Sequence, residues 1–311
     1  MDINDISLSK PMVKLLDEVK SSLCNNIVDI NINDDIDYDI SRIGGGASAK
    51  ILSNGDWKID ICQSEPFIEY VLSHELLHVL LGVKGFPHVY MSNNFICGQF
   101  SWDIGQLLNN TVHHKIIIKE QLDRGFDIGE AQEKKLRDVA DTWQIIPNLS
   151  DQTMWHIIAF TSFMIEAEDY LSEYGPKIES KNPSLYKHSK FLYDVICSTS
   201  YDNPFSTIKS LVKTFKKFDE LLVANDIEPL KLFERIEVTF IPSRQQLQLN
   251  VSQVFDPRTT QNNDLLLFTK SDGQLSFVFP TNDVESLKKD ISNMTVEDLF
   301  REANIKYVIR N

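Results

Sequence analysis

The stretch His74-Glu75-Leu76-Leu77-His78 brings two imidazoles and a carboxylate together in an H-E-x-x-H pattern. On a helix, residues four apart share a face, so His74 and His78 can reach one metal ion from successive turns. Glu75 is rotated by about 100° from His74, which sets it beside such an ion without ligating it. A carboxylate there can take a proton from a metal-polarised water, the chemistry of metal-assisted amide hydrolysis. The competing reading makes both histidines interior residues with ordinary hydrogen-bond partners.

The surrounding chain must supply the helix. Residues 64 to 82 predict one, with Ser64 as N-cap, Pro66 in the first turn, Glu65 and Glu69 at its positive end, and Gly82 then Gly85-Phe86-Pro87 at its close. Phe67, Ile68, Val71, Leu72, Leu76, Leu77, Val79, Leu80 and Leu81 cover nearly every side, so the helix is expected to be buried between two layers. Two histidines and a glutamate in so apolar a helix are costly to bury unless something uses them.

This helix resembles that of the zincin metallopeptidases, over about residues 25 to 125. The resemblance implies a small twisted sheet ahead of the helix, whose edge strand aligns a peptide substrate, and a bound zinc ion. The follow-on pattern departs from two subgroups. Metzincin-like chains read H-E-x-x-H-x-x-G-x-x-H, whereas here the glycine, Gly82, falls one place late and position 84 is Lys84. Gluzincin-like chains draw a glutamate from a later helix, but the only carboxylate between His78 and Glu120 is Asp103. Gly85-Phe86-Pro87, Asn109-Asn110-Thr111-Val112-His113-His114 and Leu122-Asp123-Arg124-Gly125-Phe126 are similar to a group of uncharacterised bacterial zincins. In those, a histidine of the second helix is the third ligand.

That second helix is predicted from Ser101, its cap, to Arg124, with Gly125 ending it. Ile104, Leu107, Leu108, Ile118 and Leu122 define an inward side; His114 lies about 80° from its centre and His113 on the opposite, solvent side. His114 is therefore the expected third ligand, with His74 and His78. Its alternative role is a helix-surface histidine near Asn110. His88, Asp103, Glu120, Cys97 and His113 remain as other ligands. Tyr90, in the loop leaving the first helix, is a candidate oxyanion donor.

The other elements are read from periodicity and punctuation. A helix is expected over residues 9 to 24, a strand over 26 to 33, a loop in the acidic run 34 to 39, and a flexible bend at Gly44-Gly45-Gly46, which lacks the lysine of a phosphate-binding loop. Residues 47 to 53 and 56 to 62 flank Asn54-Gly55 as a two-residue hairpin. Residues 86 to 100 read as a loop with a turn at Asn93-Asn94. Helices follow over 129 to 144, 151 to 173, 183 to 198 and 205 to 225, separated at Pro147, Gly175-Pro176 and Asn203-Pro204. The helix 151 to 173 carries His156, Glu166, Glu168 and Asp169. One of those carboxylates could orient a zinc-bound histidine, although each singly reads as a helix's polar side. Strands are expected over 235 to 242, 245 to 255 and 265 to 279 around Ser271-Asp272-Gly273, then helices over 283 to 292 and 295 to 303 and a last strand over 305 to 309. The fold class is α+β: residues 1 to 227 as a zincin-like domain with a helical wall, and residues 228 to 311 as an α+β domain for partner or substrate recognition.

A net charge of −14 and a pI near 4.9 leave nothing to neutralise phosphates over a broad face, so no nucleic-acid partner is expected. The basic run Lys209 to Lys217 reads as the solvated side of a helix. Cys24, Cys62, Cys97 and Cys197 are widely spaced, as reduced thiols in a cytoplasmic protein are. No secretory signal or membrane-length apolar run is found. The expectation is a zinc-dependent peptidase with Glu75 as general base, selective for an intracellular protein or peptide. The alternative is an inactive zincin scaffold that binds or senses, marked by a fourth protein ligand such as Cys97 or His88.

Overall fold

The computed structural model describes residues 8–23, 26–33, 47–52, 55–90, 98–143, 151–260 and 262–310. The acidic run 34 to 39, Gly44 to Gly46, Asn54, the Asn93-Asn94 turn, Pro147, Cys24 and Cys97 lie outside them. The chain is mixed α+β, and by backbone packing it divides into two compact units. One comprises residues 1–84 and 110–197, the other residues 85–109 and 198–311. This division does not follow a single cut at residue 228: a segment just past the H-E-x-x-H helix groups with the C-terminal region.

In the first unit, α1 (Lys10–Ser22) starts at the Ser9 cap with Pro11 in its first turn. It buries Met12, Leu15, Leu16 and Val19. Three strands follow, β1 (Val28–Asn33), β2 (Ala47–Ile51) and β3 (Trp57–Cys62), in the order β1-β3-β2. β1 runs parallel to β3 and β2 antiparallel to it, which leaves β2 on the edge. The hairpin closes through Leu52 N–H to Asp56 O at 2.7 Å, one residue wider on the strand side than the predicted two-residue turn. Gly55 supplies its positive φ of 89°. Ile59 and Ile61 face the core, while Lys50, Lys58 and Asp60 form a charged cluster on the other face.

α2 (Ile68–Val83) is buried from Tyr70 to Leu77 without interruption, as its all-round apolar sequence requires. It begins later than predicted. Phe67 is its N-cap and Ser64 instead bonds Cys62 Sγ at 3.1 Å. Glu65 turns its carboxylate back onto Phe67 N–H at 3.0 Å. α3 (Gln99–Arg124) starts two residues before the Ser101 cap expected for it, and Ser101 is buried. It ends in a Schellman-type turn: Gly125 has φ +82°, its N–H meets Leu122 O at 2.9 Å, and Phe126 N–H meets Gln121 O at 3.1 Å.

The rest of the first unit is helical: α4 (Gly129–Thr142), α5 (Asp151–Glu166), a 3-10 turn (Glu168–Tyr170), α6 (Leu171–Lys181) and α7 (Pro183–Cys197). The single helix expected over 151 to 173 thus breaks after Glu166. The turn expected at Gly175-Pro176 is instead inside α6, where the buried Gly175 lets Tyr186 come within 3.2 Å of its missing Cβ. Cys62 and Cys197 are free thiols. No helix among the described residues is long and apolar enough to cross a membrane.

In the second unit, β4 (Val89–Tyr90), within the stretch read as a loop, pairs with β5 (Glu237–Val238). The long α8 (Pro204–Val223) opens with an Asn203–Ser206 capping box. Its lysines are engaged singly at the surface, as Lys213 with Ser198 and Lys217 with Glu220. A short α9 (Leu232–Arg235) precedes β5. The strand expected over 245 to 255 is wrong for most of its length. α10 (Arg244–Leu247) and α11 (Val251–Val254) occupy it, each opened by a capping box, Ser243 with Gln246 and Asn250 with Gln253. Local capping overrides the alternating apolar pattern that suggested a strand. β6 (Phe255–Thr259), β7 (Leu265–Thr269) and β8 (Leu275–Phe279) form an antiparallel meander whose turn uses Gly273 at φ +74°. α12 (Val284–Ser292) and α13 (Val296–Glu302) cover it. Phe240, Phe255, Phe277 and Phe300 meet edge to face in the core. The last strand expected over 305 to 309 is absent; only Arg310 bridges to Ser243.

Because nothing crowds a Cβ at Gly125, substitution there reports backbone conformation alone. Gly125→Ala should lower stability by about 1 kcal/mol and Gly125→Asn by less. Urea midpoints measure this, and an unchanged midpoint for the alanine variant would rule out the left-handed cap.

Candidate metal centre

α2 contributes His74, Glu75 and His78, and the second half of α3 contributes His114. Gln121 fastens the two helices, donating to Tyr70 O at 2.9 Å and to Ser73 Oγ at 2.7 Å, both on α2. Arg124 at the end of α3 reaches Glu18 on α1 at 2.7 Å. With the helices so held, the ring centroids of His74 and His114 lie 4.5 Å apart, those of His74 and His78 5.0 Å, and those of His78 and His114 5.5 Å. One ring nitrogen from each falls within 4.8 Å of the others. Among the described residues no other cluster of histidine, cysteine or carboxylate has this spacing.

The donor set fits a borderline transition-metal cation such as zinc. His74 Nδ1 is fully buried and has no hydrogen-bond partner, an orphan of the kind an ion or a water must satisfy. Burial, then the neighbouring His114, holds the His74 pKa well below its ordinary value, so the ring is in its neutral, ligating form at neutral pH.

His114 is locked from behind. Its Nδ1 lies 2.5 Å from Ser162 Oγ and 2.9 Å from Glu166 Oε1. Ser162 donates to the same Glu166 oxygen at 2.9 Å, so Nδ1 carries the proton and Nε2 keeps the lone pair. The other Glu166 oxygen accepts from Tyr70 Oη at 2.8 Å and from Lys135 Nζ. Burial would raise the Glu166 pKa, but Lys135 and then His114 bring it well below the usual carboxylate range. Burial likewise works against the charge on Lys135, and Glu166 more than reverses it. Glu166 is thus a buried carboxylate with two donors on each oxygen. It is the orienting acid that the sequence placed on this helix without distinguishing it from its neighbours. Glu168 instead pairs with Lys115 and Tyr193, Asp169 is exposed, and His156 stacks edge-on against Trp143.

Glu75 is buried beside the histidines, and burial pushes its carboxyl up to about 7. Its carboxylate accepts from the backbone N–H of Ala49 on β2. In an antiparallel pair alternate residues turn their amides away from the partner strand, and Ala49 turns its amide toward α2.

The remaining candidates fall elsewhere. His113 is buried at 1% exposure, which corrects the expectation that it faces solvent; its ring centroid is 5.9 Å from that of His78. Leu122, expected inside, is 53% exposed. Ile104 and Leu108 are buried as expected, so the predicted inward side holds in the first part of α3 and fails in the second, where Val112, Ile117 and Gln121 are buried instead. Glu120 is bound to Arg124 at 3.0 Å. His88, Asp103 and Tyr90 belong to the second unit: the His88 backbone brackets Thr239, Asp103 accepts from Gln99, and Tyr90 is half exposed on β4. Tyr70 and Lys135 carry no local signal of their contact with Glu166. Only Ser162, one helical turn before Glu166, leaves a trace in the sequence.

The raised Glu75 pKa carries a sign. Between about pH 4.5 and 7 the unfolded chain has released this proton and the folded, metal-free chain still holds it, so stability falls with rising pH across that window. Metal-free Glu75→Gln should remove that fall and be more stable than wild type at pH 8, by on the order of 3 kcal/mol. Parallel pH-dependent slopes for the two proteins would refute it. Glu166→Gln should act oppositely, destabilising by about 3 kcal/mol by stranding Lys135, whereas Lys190→Ala, at an exposed pair, should cost under about 1 kcal/mol. Denaturant titration separates the two.

No protein-family model, no curated protein and no solved structure matches this chain.

Proposed function

We propose that this chain is a zinc-dependent peptidase in which His74, His78 and His114 hold the metal and Glu75 is the general base. The observation that carries the reading is the convergence of three imidazole nitrogens within 4.8 Å, with the motif's own glutamate buried beside them. When bound, zinc supplies a Lewis acid for the attacking water and the scissile carbonyl. Glu75 accepts the water's proton and delivers it to the leaving amine. Glu166, through His114 Nδ1, keeps Nε2 aimed at the ligand position. The resemblance to zincins gives β2 its role. It is one of the two edge strands, it runs antiparallel to β3, and its Ala49 amide reaches Glu75, so an extended peptide added along it would pass the base. A purely structural zinc site needs ligands and no base, and Glu75 distinguishes the peptidase reading from that alternative.

Purified chain should take up about one zinc per molecule. A folded preparation that stays empty with excess zinc would sink the assignment. Glu75→Gln should retain the metal and lose peptide hydrolysis by about a thousandfold; retained hydrolysis would remove Glu75 as base. His114→Ala should weaken zinc binding more than His113→Ala, and the reverse order would move the third ligand to His113.

A further inference from the structure

A recess of about 520 Å³, counted out to its opening to solvent, adjoins His74 and Glu75 between α2 and α4. Its apolar lining comes from Phe67, Val71 and Ala131. Of its charged lining groups, Lys134 is paired with Asp138 and Lys135 with Glu166. Glu65 is different. It is 6% exposed, and its Oε1 accepts only the Phe67 N–H of its own turn. Its other oxygen has no partner among the described residues, and no cation among them pairs with it.

One oxygen of this carboxylate is thus left, at the wall of the recess, to accept from a cationic group that enters from outside. The recess also fixes the kind of cation. A single carboxylate is too few ligands for a metal ion, whereas apolar walls leading to a charge suit an aliphatic stem with a cationic head. The net charge of −14 draws such groups toward the chain. We infer that Glu65 is the charge-recognising residue of a subsite that takes the lysine or arginine side chain flanking the scissile bond, an assignment that rests on the peptidase reading. Capping of α2 is the merely structural role of Glu65, and Glu65→Gln separates the two, because the amide oxygen still accepts from Phe67 N–H while the charge is gone.

The test is binding, measured by NMR titration of the full zinc-loaded chain with acetyl-arginine amide and with its neutral isostere, acetyl-citrulline amide. Wild type should prefer arginine by about tenfold or more, and in Glu65→Gln the ratio should fall to about one. Equal affinities in wild type, or a preference that survives in Glu65→Gln, overturn the subsite. The wild-type comparison stands even if the variant fails to fold. Cleavage of matched arginine and citrulline peptides then distinguishes the two levels. Cleavage indifferent to the charge overturns the subsite and leaves the peptidase reading standing. Selective binding by a chain that cleaves neither peptide supports the subsite and overturns the peptidase reading.

Discussion

The site depends on one buried carboxylate. Glu166 sits at 2% exposure at the end of α5, where an unpaired charge would cost several kcal/mol. Four donors from four helices converge on it: Tyr70 from α2, His114 from α3, Lys135 from α4 and Ser162 from α5 itself. A half-satisfied arrangement would be worse than an apolar one, so these helices are held in register by the requirement that every lone pair be met. His114 is one of the four, so the same requirement that secures the helices also sets the third imidazole against His74 and His78.

Glu75 has a second anchor of a different kind. α2 can lie close beneath β2 because that strand presents alanines, Ala47 and Ala49, on the face it shares with Ile59 and Ile61. The close approach buries Glu75 enough to raise its pKa while the Ala49 amide gives it an acceptor role. Burial and hydrogen bonding pull the pKa in opposite directions, and burial is the larger.

Local rules carried the reading of the sequence a long way. The H-E-x-x-H spacing, the pairing of residues 47 to 51 with 57 to 61 around Gly55, the Gly125 stop and the Asn203-Pro204 start depend on short-range signals, and each has its counterpart in the fold. Where two local signals compete, helix capping outranks alternation. Alternating apolar residues over 245 to 255 suggested a strand, while Ser243 with Gln246 and Asn250 with Gln253 were already helix-starting pairs. Pro176 suggested a break that α6 does not make: the helix runs on through it, with the buried Gly175 close against Tyr186.

The sequence by itself determined the two α2 histidines and their glutamate, since helical periodicity alone puts residues four apart on one face. It also determined that α2 is an interior helix, because apolar residues cover nearly every side of it. Only tertiary structure decided the rest: that His113 is buried, that Glu166 and not Glu168 or Asp169 stands behind His114, that Lys135 and Tyr70 complete its shell, and that Ala49 reaches Glu75. These contacts join residues from twenty-six to ninety-six positions apart. No periodicity within one helix or strand encodes them. They follow from how helices and a sheet edge settle together under the demand that buried charge be paired.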